Sequence, residues 1–330
     1  MQSFSDLGRT GAIEALYEGT PYKPFKSASF APEGLSAQAS RLFMEGTDFN
    51  LVYFPLKHLG YRSVVAVTAD LYASLARPEV LSVILGVSAK LDYPQISELW
   101  SGIVAAAKEH GYNSVSLDLL PSRNGLTISV CAAGAVSSIM EAQRPKPQTK
   151  DLLCVSGSLG AAYLGMSLLE KKAAEYQQGG PQPDLEAYKM IIADYLKPEI
   201  SPAVVNHLEE TGIVPSAACV IDRGLADAVR RLARDTSLGV KVYADKIPFE
   251  GNSFELGKKL DIDPVSAAFN GGEDYRLLLV IPILKAEEFR RNFQTFDVVG
   301  HLALPEAGTV MVTPEGAELP IRSQGWKDED

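Results

Sequence analysis

The stretch Lys150–Glu170, KDLLCVSGSLGAAYLGMSLLE, decides how the chain is read. Residues 152–156 form a short apolar run that reads as a buried strand. Residues 157–160 carry two glycines and read as a turn, and from there a helical pattern continues to about residue 176. QQGGPQPD, 177–184, then stops the helix with two glycines and two prolines. A strand that passes through a glycine turn into a helix points backbone N–H groups and the positive helix end at one spot, which suits a phosphate. Gly157, Ser158 and Gly160 are therefore candidates for contact with an anion or nucleotide. A strand-to-helix turn also favours glycine for backbone reasons alone, so the signal has two readings.

Working outward, QRPKPQTKD at 143–151 has two prolines and no large apolar residue, the composition of a linker. The expected organisation is an N-terminal domain over 1–142, a linker over 143–150 and a C-terminal α/β domain over 151–330. N-terminal to the linker, Leu7, Ile13 and Leu16 predict a helix over 3–17, and residues 20–40 read as loop or weak edge strand. The segment after Arg62 reads as helical, and 94–110 is an amphipathic helix with Ile96, Leu99, Ile103 and Ala106 on one face. The β-type runs 113–118 and 126–133, joined by the turn PSRNG, predict a hairpin. C-terminal to the linker, helices are expected near 185–196, 202–210 and 224–236, with strands at VKVYAD and RLLLVIPI. Strands and helices mix in both halves, so the fold class is α/β (α+β) with two lobes; no internal repeat is visible.

The composition agrees. A chain of 330 residues suggests about two domains, and 46% apolar with 22% charged residues excludes disorder, collagen and coiled coil. No apolar run is long enough to span a bilayer, and the N-terminus has neither the basic nor the apolar part of a secretory signal. Cys131, Cys154 and Cys219 are odd in number and far apart, as expected of a reducing cytoplasm. With no CxxC and with His58, His110, His207 and His301 scattered, no zinc site is expected. A net charge of −10 and the lack of a basic stripe argue against a nucleic-acid partner.

Four further places carry acids. In NGGEDYRLLLVIP, 270–282, Glu273 and Asp274 follow two glycines; they could hold a cation or a polar ligand, but a hairpin turn with solvated acids is the simpler reading. In IDRGLADAVRRLA, 221–233, Asp222 is placed to cap a helix whose Arg230, Arg231 and Arg234 read as surface residues. Asp70 and Asp118 stand alone in apolar stretches, where a carboxylate is costly unless paired or metal-bound.

Taken in order, these segments resemble the thiamine-monophosphate kinase family, in the superfamily that includes aminoimidazole ribonucleotide synthetase and selenophosphate synthetase. SDLGRTGAIEAL (5–16), EGTDFNLVYFPLKHLGYRSV (45–64), the strand–turn–helix above, QPDLEAYKMII (182–192), IDRGLADAVRRLA, NGGEDYRLLLVIP and the terminal QGW (324–326) carry the resemblance over nearly the whole chain. It implies a two-lobed aminoimidazole ribonucleotide synthetase-like fold whose N-terminal lobe forms an intersubunit β-barrel in a homodimer. It also implies transfer of the terminal phosphoryl group of ATP to thiamine monophosphate, with aspartates holding Mg²⁺.

The resemblance breaks at those aspartates. The family's GDDAAV segment falls where this chain has no Asp between Asp6 and Asp48. A family acid falls on Arg41, the histidine of EGVHF on Asp48, and the acid of VSG-D-LG on Ser158. Asp70 survives in VTAD and Asp118 in SLDLL, while D-x-S-D-G-L falls on Val220, Asp222, Arg223 and Gly224. A unit charge about 4 Å from a divalent cation costs several kcal/mol even at an effective dielectric of about 20, whereas a guanidinium binds phosphate oxygens directly. Three expectations follow from the resemblance. One is a pseudoenzyme with lost or much reduced activity, in which Arg41 and Arg223 hold a small phosphorylated ligand. Another is an active kinase using Asp70 and Asp118, with Asp222, around a single Mg²⁺; Asp48, Glu273, Asp274 and Tyr275 would place substrate and Trp326 would face the thiazolium. A third is a regulatory partner of an active relative.

Overall fold

Residues 4–24 and 34–322 are described by a computed structural model, in which the chain divides into two units, 1–138 with 201–205 and 139–200 with 206–330. Trp326 lies outside the described residues.

The first unit runs α1 (Phe4–Tyr17, kinked at Gly8), β1 (Ser36–Met44), α2 (Leu56–Ala73), β2 (Ala76–Ser88), α3 (Tyr93–Glu109), β3 (Ser114–Ser122) and β4 (Thr127–Val136). Helix α2 is rich in β-branched residues, yet it is helical because it is buried almost all round from Leu59 to Ala73, and tertiary packing overrides propensity there. It lies across β1, β2 and β4, and α3 packs on it. The two helices meet backbone to backbone at Gly60 and Gly102; a Cβ on Gly102 would stand 1.8 Å from the Lys57 carbonyl oxygen, and one on Gly60 2.0 Å from that of Leu99. Asp92 and Gln95 form a capping box that starts α3.

The four strands pair in the order β1-β4-β2-β3. The expected hairpin of 113–118 with 126–133 is therefore absent: β2 lies between β3 and β4, parallel to the first and antiparallel to the second. No strand over 76–88 is expected from the sequence, and Pro78 is a residue that a central strand ordinarily excludes. The structure accommodates it at a bulge between Pro78 and Val80. The short 123–126 connection crosses the end of β2 at Gly86, whose missing Cβ leaves room between Ser122 and Thr127. Helix α1 covers the free edge of β3, where the Tyr17 hydroxyl and Arg9 Nε donate to the Val115 and Leu119 carbonyls at 2.8 Å each. Burial alternates along the strands. Phe43, Val83, Leu117 and Val130 are buried, whereas Leu42, Met44, Ile84 and Leu120 are exposed on the other face.

The second unit continues with α4 (Ser138–Gln143), β5 (Leu152–Val155), α5 (Ala161–Gln177), α6 (Lys189–Leu196), α7 (Val204–Glu210, which crosses the division between the units) and β6 (Ala217–Ile221). Then come α8 (Leu225–Thr236), β7 (Gly239–Tyr243), α9 (Ser253–Leu260), α10 (Pro264–Asn270), β8 (Arg276–Ile281), α11 (Ala286–Asn292), β9 (Asp297–Ala303), β10 (Thr309–Val312) and β11 (Glu318–Pro320). Its seven-stranded mixed sheet has the order β11-β10-β7-β9-β5-β8-β6. Leu153, Val155, Val242, Val280 and Leu302 pack on one face against Leu225, Val229 and Leu232 of α8 and Ala268 and Phe269 of α10. Among the described residues no helix is long and apolar enough to cross a membrane.

Candidate functional site

In the second unit, topology brings three loops to one edge of the sheet. Strands β5 and β6 are both antiparallel to β8, which lies between them, with Val155 opposite Leu278 and Ile221 opposite Arg276. The loops 156–160 and 222–224, which leave β5 and β6, therefore meet the loop 271–275 that enters β8. This gathers Gly157, Ser158, Gly160, Asp222, Arg223, Glu273, Asp274 and Tyr275.

Asp274 is 3% exposed, not a solvated turn acid. Its carboxylate accepts the Gly160 N–H at 2.9 Å and the Ala162 N–H at 3.3 Å, so the chain's own acid occupies the positive end of α5. Gly160 is required here: its φ is 77°, and a Cβ would lie 2.7 Å from the Ala268 nitrogen. The loop holding Asp274 is strained, with Glu273 and Tyr275 in the left-handed region at φ 69° and 49°. Such residues cost about 1–2 kcal/mol each and persist only where the surroundings dictate them. The Glu273 N–H donates to the Asp222 carbonyl at 2.8 Å and the Tyr275 hydroxyl to Glu273 Oε2 at 3.1 Å. Burial pushes the Asp274 carboxyl up to about 7, against the opposing pull of the two N–H donors and Arg276.

Ser158 is tied to the same edge. Its hydroxyl donates to Asp194 Oδ2 at 3.2 Å, and Arg276 reaches the Ser158 carbonyl at 3.3 Å and Asp194 Oδ1 at 2.8 Å. Burial raises the Asp194 carboxyl, and the Arg276 charge and the Ser158 hydrogen bond oppose it.

Asp222 does not cap α8, where Gly224 occupies the N-cap and no side chain caps the helix. The carboxylate instead accepts from Arg231 Nη2 at 2.7 Å, and the same guanidinium reaches the Val220 carbonyl at 2.7 Å and Asp227 at 2.8 Å. Arg223 Nε is 4.0 Å from Asp222, with its side chain 76% exposed. Because the Asp222 side chain is 5% exposed, Arg231→Ala is expected to remove about 2 kcal/mol of stability, chiefly by leaving a buried charge without its main partner. Chemical denaturation tests this, and a change below about 0.5 kcal/mol would contradict it.

In the first unit both surviving acids are also paired. Arg41 Nη2 lies 3.1 Å from Asp70 Oδ2, and Arg9 Nη2 bonds Asp118 Oδ1. Arg41 shares the β1 face of Ala39 and Phe43, which turns toward α2 and Asp70. Asp118 lies opposite exposed Ile84, on the other face. The two carboxylates thus lie on opposite sides of one sheet, each beside a guanidinium, and they do not fit a shared Mg²⁺. No group of three or more His, Cys, Asp or Glu side chains among the described residues is arranged to hold a metal. Asp48 closes its own turn by accepting the Met44 N–H at 2.7 Å.

Sequence reasoning missed Arg9, Asp194 and Arg276 and read Arg231 as a surface residue. Of these contacts only Asp227–Arg231, an i,i+4 pair, is visible in the sequence.

Residues 32–136 match the family described as AIR synthase related protein, N-terminal domain. The match covers most of the first unit, and the two-unit fold is the AIR synthase-like one of the solved structures named below. The chain is similar to thiamine-monophosphate kinases. That of Aquifex aeolicus is 23% identical over 281 residues, covering 84% of this chain and 87% of the relative. The structure of AaThiL complexed with AMPPCP and TMP superposes with a TM-score of 0.70 at 19% identity, covering 97% of each chain. The hydrogenase maturation protein HypE in complex with ATP has a TM-score of 0.70 at 17% identity, covering 98% of this chain and 94% of HypE.

Proposed function

We propose that this thiamine-monophosphate kinase-like chain keeps the fold of a phosphoryl-transfer enzyme but has lost the transfer step or kept little of it, and binds a small phosphorylated ligand. The observation that carries the reading is the pairing of the acids expected at the metal site with arginines: Asp70 with Arg41 and Asp118 with Arg9, while Asp222, at the family's serine position, pairs with Arg231. Phosphoryl transfer relies on positioning and on metal ions that neutralise developing charge. A carboxylate already neutralised by a guanidinium is a poor magnesium ligand, and no step through Mg²⁺ is assigned here. Arg41 is engaged with Asp70, so the anion contact falls to Arg223, whose exposed guanidinium stands at the loop edge beside Asp222. ATP and thiamine monophosphate are the first ligands to try, since the relatives carry AMPPCP, TMP and ATP. The homodimer belongs to the same proposal: the sheet face with Leu42, Met44, Ile84 and Leu120 exposed is suited to packing against a second copy.

The test is incubation with thiamine monophosphate, ATP and Mg²⁺, followed by chromatography for thiamine diphosphate. The expected result is no product above an enzyme-free control, with binding of the monophosphate weakened about tenfold by Arg223→Ala. Product that disappears on Asp70→Asn or Asp118→Asn would overturn the reading.

A further inference from the structure

A cleft of about 670 Å³ lies in the second unit on the outer face of the seven-stranded sheet. Leu152, Tyr243 and His301 form its floor, at strand positions that alternate with the core-facing Leu153, Val242 and Leu302. It is therefore on the face opposite α8 and α10, and the reading above does not enter the argument for it.

Three features set this cleft apart. Its charge is the first: Lys150, Lys246 and Arg290 line it against one acid, Asp297, on a chain whose net charge is −10. Arg290 and Lys246 have acidic neighbours in Glu287 and Asp245, whereas the Lys150 ammonium makes no ion pair or hydrogen bond among the described residues. The backbone is the second. Lys150 sits in the left-handed region at φ 74°, fixed by its N–H donating to the Leu302 carbonyl at 2.7 Å, and a bulge in the β5–β9 ladder falls between Leu153 and Cys154 beneath the cleft. Strain at a non-glycine residue and an irregular ladder both mark places where side chains are re-aimed for a purpose. Aromatic surface is the third: the Tyr243 and His301 rings stack at 5.7 Å with planes 28° apart, and Phe296 also lines the cleft.

We propose that this cleft binds a small phosphorylated aromatic compound of the nucleoside monophosphate class. Lys150, Arg290 and Lys246 take the phosphate, and Tyr243, His301 and Phe296 take the ring. The volume lies in the range of small-molecule sites, ammonium and guanidinium groups supply charge-assisted hydrogen bonds to phosphate oxygens, and heteroaromatic rings stack on aromatic side chains.

Photolabelling of the full chain with 8-azidoadenosine monophosphate, read by peptide mapping, tests this. Label is expected on segments 241–246 or 296–301, displaced by unlabelled adenosine monophosphate and reduced about tenfold in the exposed-residue variant Lys150→Gln/Arg290→Gln. An unchanged circular-dichroism melting curve confirms that the variant is folded. Label found only elsewhere overturns the proposal. Equal labelling of these segments by 8-azidoadenosine, or labelling unchanged in the folded variant, overturns it as well, because the cations would then not read the phosphate.

Discussion

Asp274→Ala is expected to lower the stability of the second unit by about 3 kcal/mol at pH 5. That sum combines a lost helix-end acceptor, typically about 1 kcal/mol, with two buried N–H groups left without the carboxyl oxygens they donate to, at about 1–3 kcal/mol per unsatisfied group. The early amides of α5 report it directly: hydrogen exchange at Gly160 and Ala162 should accelerate together with the global loss. A deficit under about 1 kcal/mol would mean that water replaces the carboxylate freely.

The same residue gives the second unit a pH signature. The folded-state pKa, about 7, lies above the ordinary value of 3.8, so the folded form holds this proton more tightly than the unfolded form. The contribution is complete below the ordinary value and is lost as pH rises through about 7, with a slope approaching about 1.4 kcal/mol per pH unit in between. The Asp274→Ala deficit should accordingly shrink from pH 5 to pH 8. Asp274→Asn, which cannot titrate, should flatten the slope in denaturation curves measured across that range. Parallel slopes for wild type and variant would show that another group titrates.

Gly102→Ala is the change with the largest expected effect in the first unit. A Cβ 1.8 Å from the Lys57 carbonyl oxygen collides with backbone, which cannot rotate away as a side chain can. Helices α2 and α3 must separate, and overpacking of this kind costs typically about 1–3 kcal/mol; backbone contact puts this site at about 3 kcal/mol. For a unit of this size that corresponds to a melting shift of roughly 6–12 °C. Ser101→Ala, at the adjoining exposed position, should change stability by less than about 0.5 kcal/mol and serves as the control.

Local order was legible in the sequence where it depended on local chemistry. The helix at 94–110, the strand–turn–helix at 152–176 and the strands at 240–245 and 276–283 follow from periodicity and breakers, and they appear close to where they were expected. Strand β2 was not legible, because Pro78 argues against a central strand and only the bulge reconciles the two. Without β2, the runs on either side of PSRNG look like partners. At the candidate site, sequence reasoning found Asp70, Asp118, Asp222 and Asp274 but not what faces them. The pairs Arg9–Asp118 and Asp274–Gly160 join residues more than a hundred positions apart, and no local pattern encodes such a meeting. The resemblance implies that metal-binding acids are replaced in this chain; the fold adds that Asp70 and Asp118 are each paired with an arginine.

The strand order of the first unit has a consequence for a chain still on the ribosome. β4 lies between β1 and β2, and Ser36 waits for Ala135 before its ladder can begin. Until about the first 136 residues have emerged, β1 has no neighbour and β2 has one open side. Contacts this distant in sequence are slow to close, and open strand sides recruit other chains. Slower elongation just after residue 136 would let the sheet zip shut before the second unit begins to appear, while truncation anywhere before β4 would leave two sticky margins with nothing to join them.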